Sequence, residues 1–220
     1  MTLETSKALG GIGAILLIVS AIAFFAQLFL AFIGVVGIIL ILFALHGLAG
    51  HYNESGIFSN ALYSFIATIV GAVLTVAGFV YLFLYTTVFT GIAIVLYPDF
   101  HGNWSTIPNL TANTNLNPND LVPFVGPILS VLAITWIFLI IASFFLWRSL
   151  KRVSSKSNVG LFSTAAIIML IGSIIPGIGL AIMWFAFLLI AVAFFQLKTQ
   201  PEQPQQTAAP ILPPSMPTPV

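Results

Sequence analysis

Long apolar stretches alternate with short polar segments along most of the chain. Each of the four stretches lacks Asp, Glu, Lys and Arg. Each is also longer than the roughly 20 residues that cross a bilayer as a helix. The pattern therefore predicts an all-α fold, a polytopic membrane helical bundle. The four stretches are Ala8–Leu45, Ala61–Tyr97, Phe124–Trp147 and Gly160–Leu197.

The longest stretches are predicted to turn back on themselves. One helix over Ala8–Leu45 would be nearly twice as long as the ~30 Å hydrocarbon layer is thick. This stretch should therefore form a hairpin that turns around Phe25–Leu28, and Pro176-Gly177 is a turn signal in the last stretch. If 61–97 crosses the membrane twice, the total is seven helices. Otherwise six transmembrane helices are expected, at about 8–26, 28–47, 61–85, 124–147, 160–175 and 178–197.

Basic residues indicate which ends of the helices face the cytoplasm. The segment Trp147–Asn158 is predicted to be a short loop, and it carries four of the six Lys and Arg residues, whereas Tyr97–Pro123 carries none. Short basic loops stay on the cytoplasmic side. With six helices, both termini are cytoplasmic and the loop 97–123 is extracellular. With seven, the N-terminus is outside.

The predicted outer loop also contains two N-glycosylation sequons, Asn103-Trp104-Ser105 and Asn109-Leu110-Thr111. We expect glycan at Asn103, at Asn109 or at both. Asn53-Glu54-Ser55 matches the same pattern, but it lies on the cytoplasmic side of the six-helix topology and should stay unmodified.

Composition narrows the class of protein further. Of the 220 residues, 60% are hydrophobic and 5% are charged, whereas about 25% are charged in an average soluble domain. So few charges exclude a soluble enzyme, a nucleic-acid-binding protein and a disordered regulator. The membrane domain covers 1–198. The Pro- and Gln-rich segment 199–220 cannot form a core and is predicted to be a disordered tail.

Candidate chemistry is sparse, and we expect no catalytic residues, no cofactor and no metal site. No predicted span has a carboxylate, amine or guanidinium group in its interior, which argues against a proton-coupled pump. Each residue that could form a polar path also has a structural interpretation. His46 would be an interfacial anchor, Gln27 would cap a turn, and the threonine hydroxyls would bond to their own helix. The candidates for a polar path or helix contact are Gln27, His46, Thr86, Thr87 and Thr90.

Small residues recur at four-residue spacing, which allows helix backbones to approach closely in membranes. Gly10 and Ala14 form one such pair, and Ala67, Gly71 and Thr75 form a triplet. The spacing alone leaves open whether these contacts lie within one chain or between chains.

Gly-patterned runs recur along the apolar part of the chain, at Glu4–Leu16, Phe32–Leu40, His51–Ala61, Gly160–Ala165, Leu170–Gly172 and Pro176–Gly179. These runs resemble a family of archaeal multi-pass membrane proteins known only as a domain of unknown function. The resemblance covers about Met1–Leu197 and implies a fold, but no activity or site residue. The outer loop is longer than expected of that family.

The sequence therefore leaves two alternative functions for the protein. The first is a non-catalytic structural or accessory component of a membrane assembly, whose partners are the lipid bilayer and either other membrane subunits or a second copy. The alternative is a passive transporter or channel for a small solute. A membrane enzyme is disfavoured because no nucleophile–base pair or metal-ligand set is visible.

Overall fold

The computed structural model describes residues 1–24, 31–85, 87–113 and 117–198, of which 21–24, 31–32 and 85 are described by their backbone alone. Throughout those ranges the regular structure is helical, with two short 3₁₀ turns at Trp104–Asn109 and Pro118–Leu121. The expected all-α class is confirmed. The helices are α1 (Leu3–Phe24), α2 (Ala31–His51), α3 (Ser55–Tyr85), α4 (Val88–Leu96), α5 (Val122–Ser157), α6 (Leu161–Ile174) and α7 (Ile178–Phe195).

Six of these helices form a closed ring. Around it, α1 packs on α2, α2 on α3, α3 on α5, α5 on α6, α6 on α7, and α7 again on α1. The short α4 packs on α3 and α5 outside the ring. The core lies on the inner side of the ring, where Leu45, Leu150, Phe162 and Phe194 are all but completely buried.

Within the described ranges, five helices are long and apolar enough to cross a membrane: α1, α2, α3, α5 and α7. The predicted fifth span, 160–175, corresponds to α6, which has 14 residues and is therefore about 21 Å long. In the stretch 61–97 the structure has one long helix, α3, followed by α4. With nine residues, α4 is only about 14 Å long.

The helix α5 differs most from its prediction. The segment Trp147–Asn158 was expected to be a loop, but α5 continues through it to Ser157. Ser149, Leu150 and Val153 are buried along one side of this extension, so its apolar residues repeat with helical spacing. The helix ends at Asn158, whose φ of 57° is the left-handed conformation that asparagine tolerates at a helix C-terminus.

The other turns are shorter than expected or lie outside the described residues. The structure begins α3 at Ser55 rather than near 61, because the α2–α3 turn needs only three residues and Asn53 adopts a φ of 49°. The α6–α7 turn contains Gly177, with a φ of 77°. The turn predicted around 25–28 lies outside the described residues.

Glycines let the helices approach closely at three interfaces. Between α1 and α2, Gly13 and Gly37 face each other, so that a methyl group on either would lie 2.7 Å from the other's carbonyl oxygen. Gly10 contacts the ring of Phe194 on α7, and Gly71 of α3 lies against Phe138 of α5. Gly10 and Gly71, both singled out by their spacing, thus make contacts within one chain.

Hydroxyl groups join α3 to α5 at three levels. Ser149 Oγ donates to the carbonyl oxygen of Ile57 at 2.7 Å, and Ser64 Oγ donates to that of Ala142 at 2.8 Å. Further along, the hydroxyl oxygens of Thr75 and Thr135 are 2.7 Å apart. Interhelical hydrogen bonds in membrane proteins contribute on average about 0.6 kcal/mol each, so these bonds fix the register of the pair more than they stabilise it.

Replacing Gly13 with alanine should destabilise the bundle, because the new methyl group would collide with the backbone of α2. Overpacking of this kind costs roughly 1–3 kcal/mol. The matched control is Gly50→Ala near the end of α2, where the methyl group would meet no atom within 4 Å apart from its chain neighbours and alanine should stabilise the helix by up to about 1 kcal/mol. The free energy of unfolding in detergent measures both changes. Equal stability of the two variants would contradict the close α1–α2 contact.

Candidate functional site

A cavity of about 160 Å³ lies at the centre of the six-helix ring. Every helix of the ring contributes to its wall, because the ring has no central helix to fill its interior. The wall includes Leu17 of α1, Ile41 of α2, Ala61 of α3, Leu146 of α5, Met169 of α6 and Met183 of α7.

Three hydroxyl-bearing residues, Ser64, Thr68 and Ser143, interrupt this apolar wall. Two of the hydroxyls are engaged with the backbone: Ser64 donates to Ala142 across the helix interface, and Thr68 donates to the carbonyl oxygen of Ser64 at 2.9 Å. None of the described residues in the cavity wall carries a carboxylate, amine or imidazole. An apolar cavity of similar size in another protein stays dry and binds benzene or xenon, so this cavity suits a small apolar guest.

Of the polar residues singled out in the sequence, those that the structure describes do not line this cavity. Thr87 is exposed and Thr90 half-buried on or beside α4, outside the ring. His46 is exposed on α2, and its ring lies edge-on to Phe58 with 4.6 Å between centroids. Gln27 and Thr86 lie outside the described residues. The structure thus brings none of the described candidates together.

Sequence reasoning missed the cavity hydroxyls. Ser64 and Thr68 are four residues apart on α3, one turn of the same helix face that also carries Ala61. That spacing was the available signal, but serine and threonine are common in membrane helices and nothing in α3 alone shows that this face points into a cavity.

The three sequons occupy two ends of the bundle. Asn103 and Asn109 are exposed in the loop between α4 and α5. The Asn103 side-chain oxygen accepts hydrogen bonds from the Ser105 amide at 3.1 Å and from its hydroxyl at 2.7 Å. Asn53 lies in the α2–α3 turn, next to Glu54, which binds Arg152 near the end of α5. Glycosylation of Asn103 or Asn109 stays a prediction.

All six Lys and Arg residues lie at one end of the ring, which we call the basic end. Glu54, in the α2–α3 turn, binds Arg152 at 2.7 Å and Lys156 at 3.6 Å on α5. Arg148 and Lys151 extend over the rings of Phe144 and Trp147 on the same helix, at 5.9 and 5.1 Å from the centroids. Lys7 and Lys198 line an open cavity beside the α5–α6 turn.

The loop at the opposite end, 97–123, carries Asp99 and Asp120 and no Lys or Arg. The bundle is therefore electrically polar along its axis. Within the described ranges, no three His, Asp or Glu side chains come close enough to hold a metal ion.

Comparison with known proteins identifies one family. No curated protein matches the chain, and no solved structure matches it. The model of one family matches residues 33–193, which is well over half of the chain. That range contains nearly all of the runs that resemble a domain of unknown function, but not Glu4–Leu16. The chain therefore belongs to the family described as "Protein of unknown function (DUF996)".

Proposed function

We propose that the chain is a six-span protein of the archaeal cell membrane, with both termini in the cytoplasm and the loop 97–123 outside. The one-ended distribution of the basic residues supports this orientation, because short basic segments are retained on the cytoplasmic side. α6 is counted as the sixth span because it forms a hairpin with α7, which is itself long enough to cross. A short apolar helix of this kind is accommodated by local thinning of the bilayer.

We further propose that the protein is a non-catalytic structural or accessory component of a membrane assembly. The observation that carries this proposal is the outward face of α3 and α5. Only 17% of the residues in the apolar part of each of these two helices are buried, against 39–44% in the apolar parts of α1, α2 and α7. These two longest helices thus present the largest apolar surface to the membrane.

A groove on this face is suited to another helix. It has a volume of about 340 Å³, and its α3 wall is formed largely by Ala67, Gly71, Ala72 and Thr75. Gly71 and Thr75 already contact α5 within the chain, whereas the exposed Ala72 leaves room for a second helix to approach. Small residues are the usual packing device between membrane helices. The partner is a helix of another subunit or of a second copy of this chain.

The full chain extracted in a mild detergent should have a native mass above its own 23.6 kDa. Ala72→Leu should fill the groove, and the resulting misfit of about 1–3 kcal/mol should raise the apparent dissociation constant at least about fivefold. The matched control is Ala133→Leu, an equally exposed position on α5 outside the groove. Native mass spectrometry measures both variants. A monomeric wild-type protein, or an equal effect of the two substitutions, would contradict the proposal.

The central cavity favours an alternative function, that of a passive transporter or channel for a small solute. It lies on the axis of the ring, where a permeating molecule would pass. The cavity wall lacks ionisable groups, so the alternative is restricted to a solute that needs no proton relay.

Liposomes that contain the protein and an internal pH dye should therefore show no more proton flux than empty liposomes. His46 is the only titratable group singled out near a span, and one group close to an interface cannot relay protons across ~30 Å of hydrocarbon. Proton flux that His46→Ala abolishes would overturn the accessory-component proposal in favour of transport. His101→Ala, a histidine in the outer loop, is the control.

A further inference from the structure

We propose that the open cavity at the basic end binds a phosphate-bearing anion through Lys7 and Lys198. This cavity has a volume of about 1120 Å³ and is formed where the start of α1, the end of α7 and the α5–α6 turn meet. It is separate from the apolar cavity at the centre of the ring, with which it shares no residue. The proposal requires that the bundle is embedded in a bilayer, but not that it has a protein partner.

The charge around this cavity is one-sided. Among the residues that the structure describes, Lys7 and Lys198 are the charged ones in its lining, and no Asp or Glu contributes to it. The acidic residue nearest to the α5 basic segment, Glu54, is already paired with Arg152 and Lys156. Neither Lys7 nor Lys198 is in an ion pair within the part of the chain that the structure describes. Glu4 lies one turn before Lys7 on α1 but does not line the cavity, so the cavity is lined by two lysines and no described carboxylate.

The elements that carry the two lysines are fixed by packing. Gly10, one turn after Lys7, lies against the ring of Phe194, one turn before Lys198. Leu197 is 1% exposed, so the backbone directly before Lys198 is anchored in the core. The register between α1 and α7 thus brings two lysines that are distant in sequence into one cavity.

The third wall is also well defined. Ser154 Oγ donates to the carbonyl oxygen of Val159 at 3.0 Å, and Ser157 Oγ accepts from the Val159 amide at 3.3 Å. With Asn158 in its left-handed conformation, these bonds hold the α5–α6 turn in place. The cavity is therefore built on two packed helix ends and a hydrogen-bonded turn, which limits the ordering cost of binding.

The remaining lining combines polar and apolar side chains. Asn158 and Gln196 offer amide groups, whereas Leu161 and Phe195 offer apolar surface. A phospholipid headgroup has the matching chemistry: an anionic phosphate for the lysines, polar substituents for the amides, and the start of acyl chains for the apolar residues. The location at the end of the membrane helices favours such a ligand, because lysines at a membrane surface attract anionic lipids.

The test measures how tightly the full-length protein, in an uncharged detergent, binds phosphatidylglycerol that carries a fluorophore on one acyl chain. Fluorescence anisotropy reports the binding. A surface lysine contributes about a fivefold factor in affinity for anionic lipid. Lys7→Gln with Lys198→Gln should therefore weaken binding about 25-fold, while the Lys→Arg pair should retain it. The matched control is Lys151→Gln, which removes a charge at the same end without lining the cavity.

Competition with inorganic phosphate distinguishes the two sources of the anion. Failure of phosphate to displace the lipid assigns the site to a lipid headgroup, and displacement assigns it to soluble phosphate compounds. Wild-type affinity in the Lys7→Gln, Lys198→Gln variant would overturn the proposal, as would an equal loss in Lys151→Gln. Elution profile and helix content show that each variant is folded.

Discussion

The hydrocarbon interior of the bilayer gives a chain no water with which to hydrogen-bond, and this constraint governs the rest of the structure. Each span must satisfy its backbone polar groups within a helix, and the helices gain little from apolar burial against one another because lipid is equally apolar. What remains is close contact and a few hydrogen bonds. Gly13 and Gly37 form such a close contact between α1 and α2. The Ser64 hydroxyl forms such a hydrogen bond to the backbone of α5.

The ring architecture arises because each long helix packs mainly on the next one along the chain, with α3 on α5 across the short α4, and because α1 and α7 close the ring. Six helices packed in this way leave a space at the centre, which the described residues line mostly with apolar side chains. The charged and amide side chains are instead concentrated at the basic end.

The sequence predicted the apolar stretches and the all-helical class well, because both depend on residue composition over long windows. It did not predict that α5 continues to Ser157, since a basic segment is typical of a loop between spans. The helical spacing of Ser149, Leu150 and Val153 was the local signal, and their burial against other helices makes the segment helical. The count of six spans still rests on α6, whose 14 residues are short for a crossing.

The candidate site was less predictable than the fold. Gln27, His46 and the threonines near 86–90 were chosen because polar residues in apolar stretches are uncommon, but His46, Thr87 and Thr90 lie away from the central cavity. Ser64 and Thr68 line it instead. Which face of a helix points inward depends on the neighbours around the ring, and the pairing of Lys7 with Lys198 depends on the α1–α7 contact. Neither can be read from a single segment.

The orientation of the bundle in the membrane is the central claim, because the roles proposed for both ends depend on it. The chain has no cysteine, so single cysteines can be introduced at Ser155 and Asn119, both exposed and at opposite ends. With an impermeant thiol reagent on intact cells, the account predicts labelling of Asn119→Cys, and labelling of Ser155→Cys only after permeabilisation. Labelling of Ser155→Cys on intact cells, with none of Asn119→Cys, would contradict it.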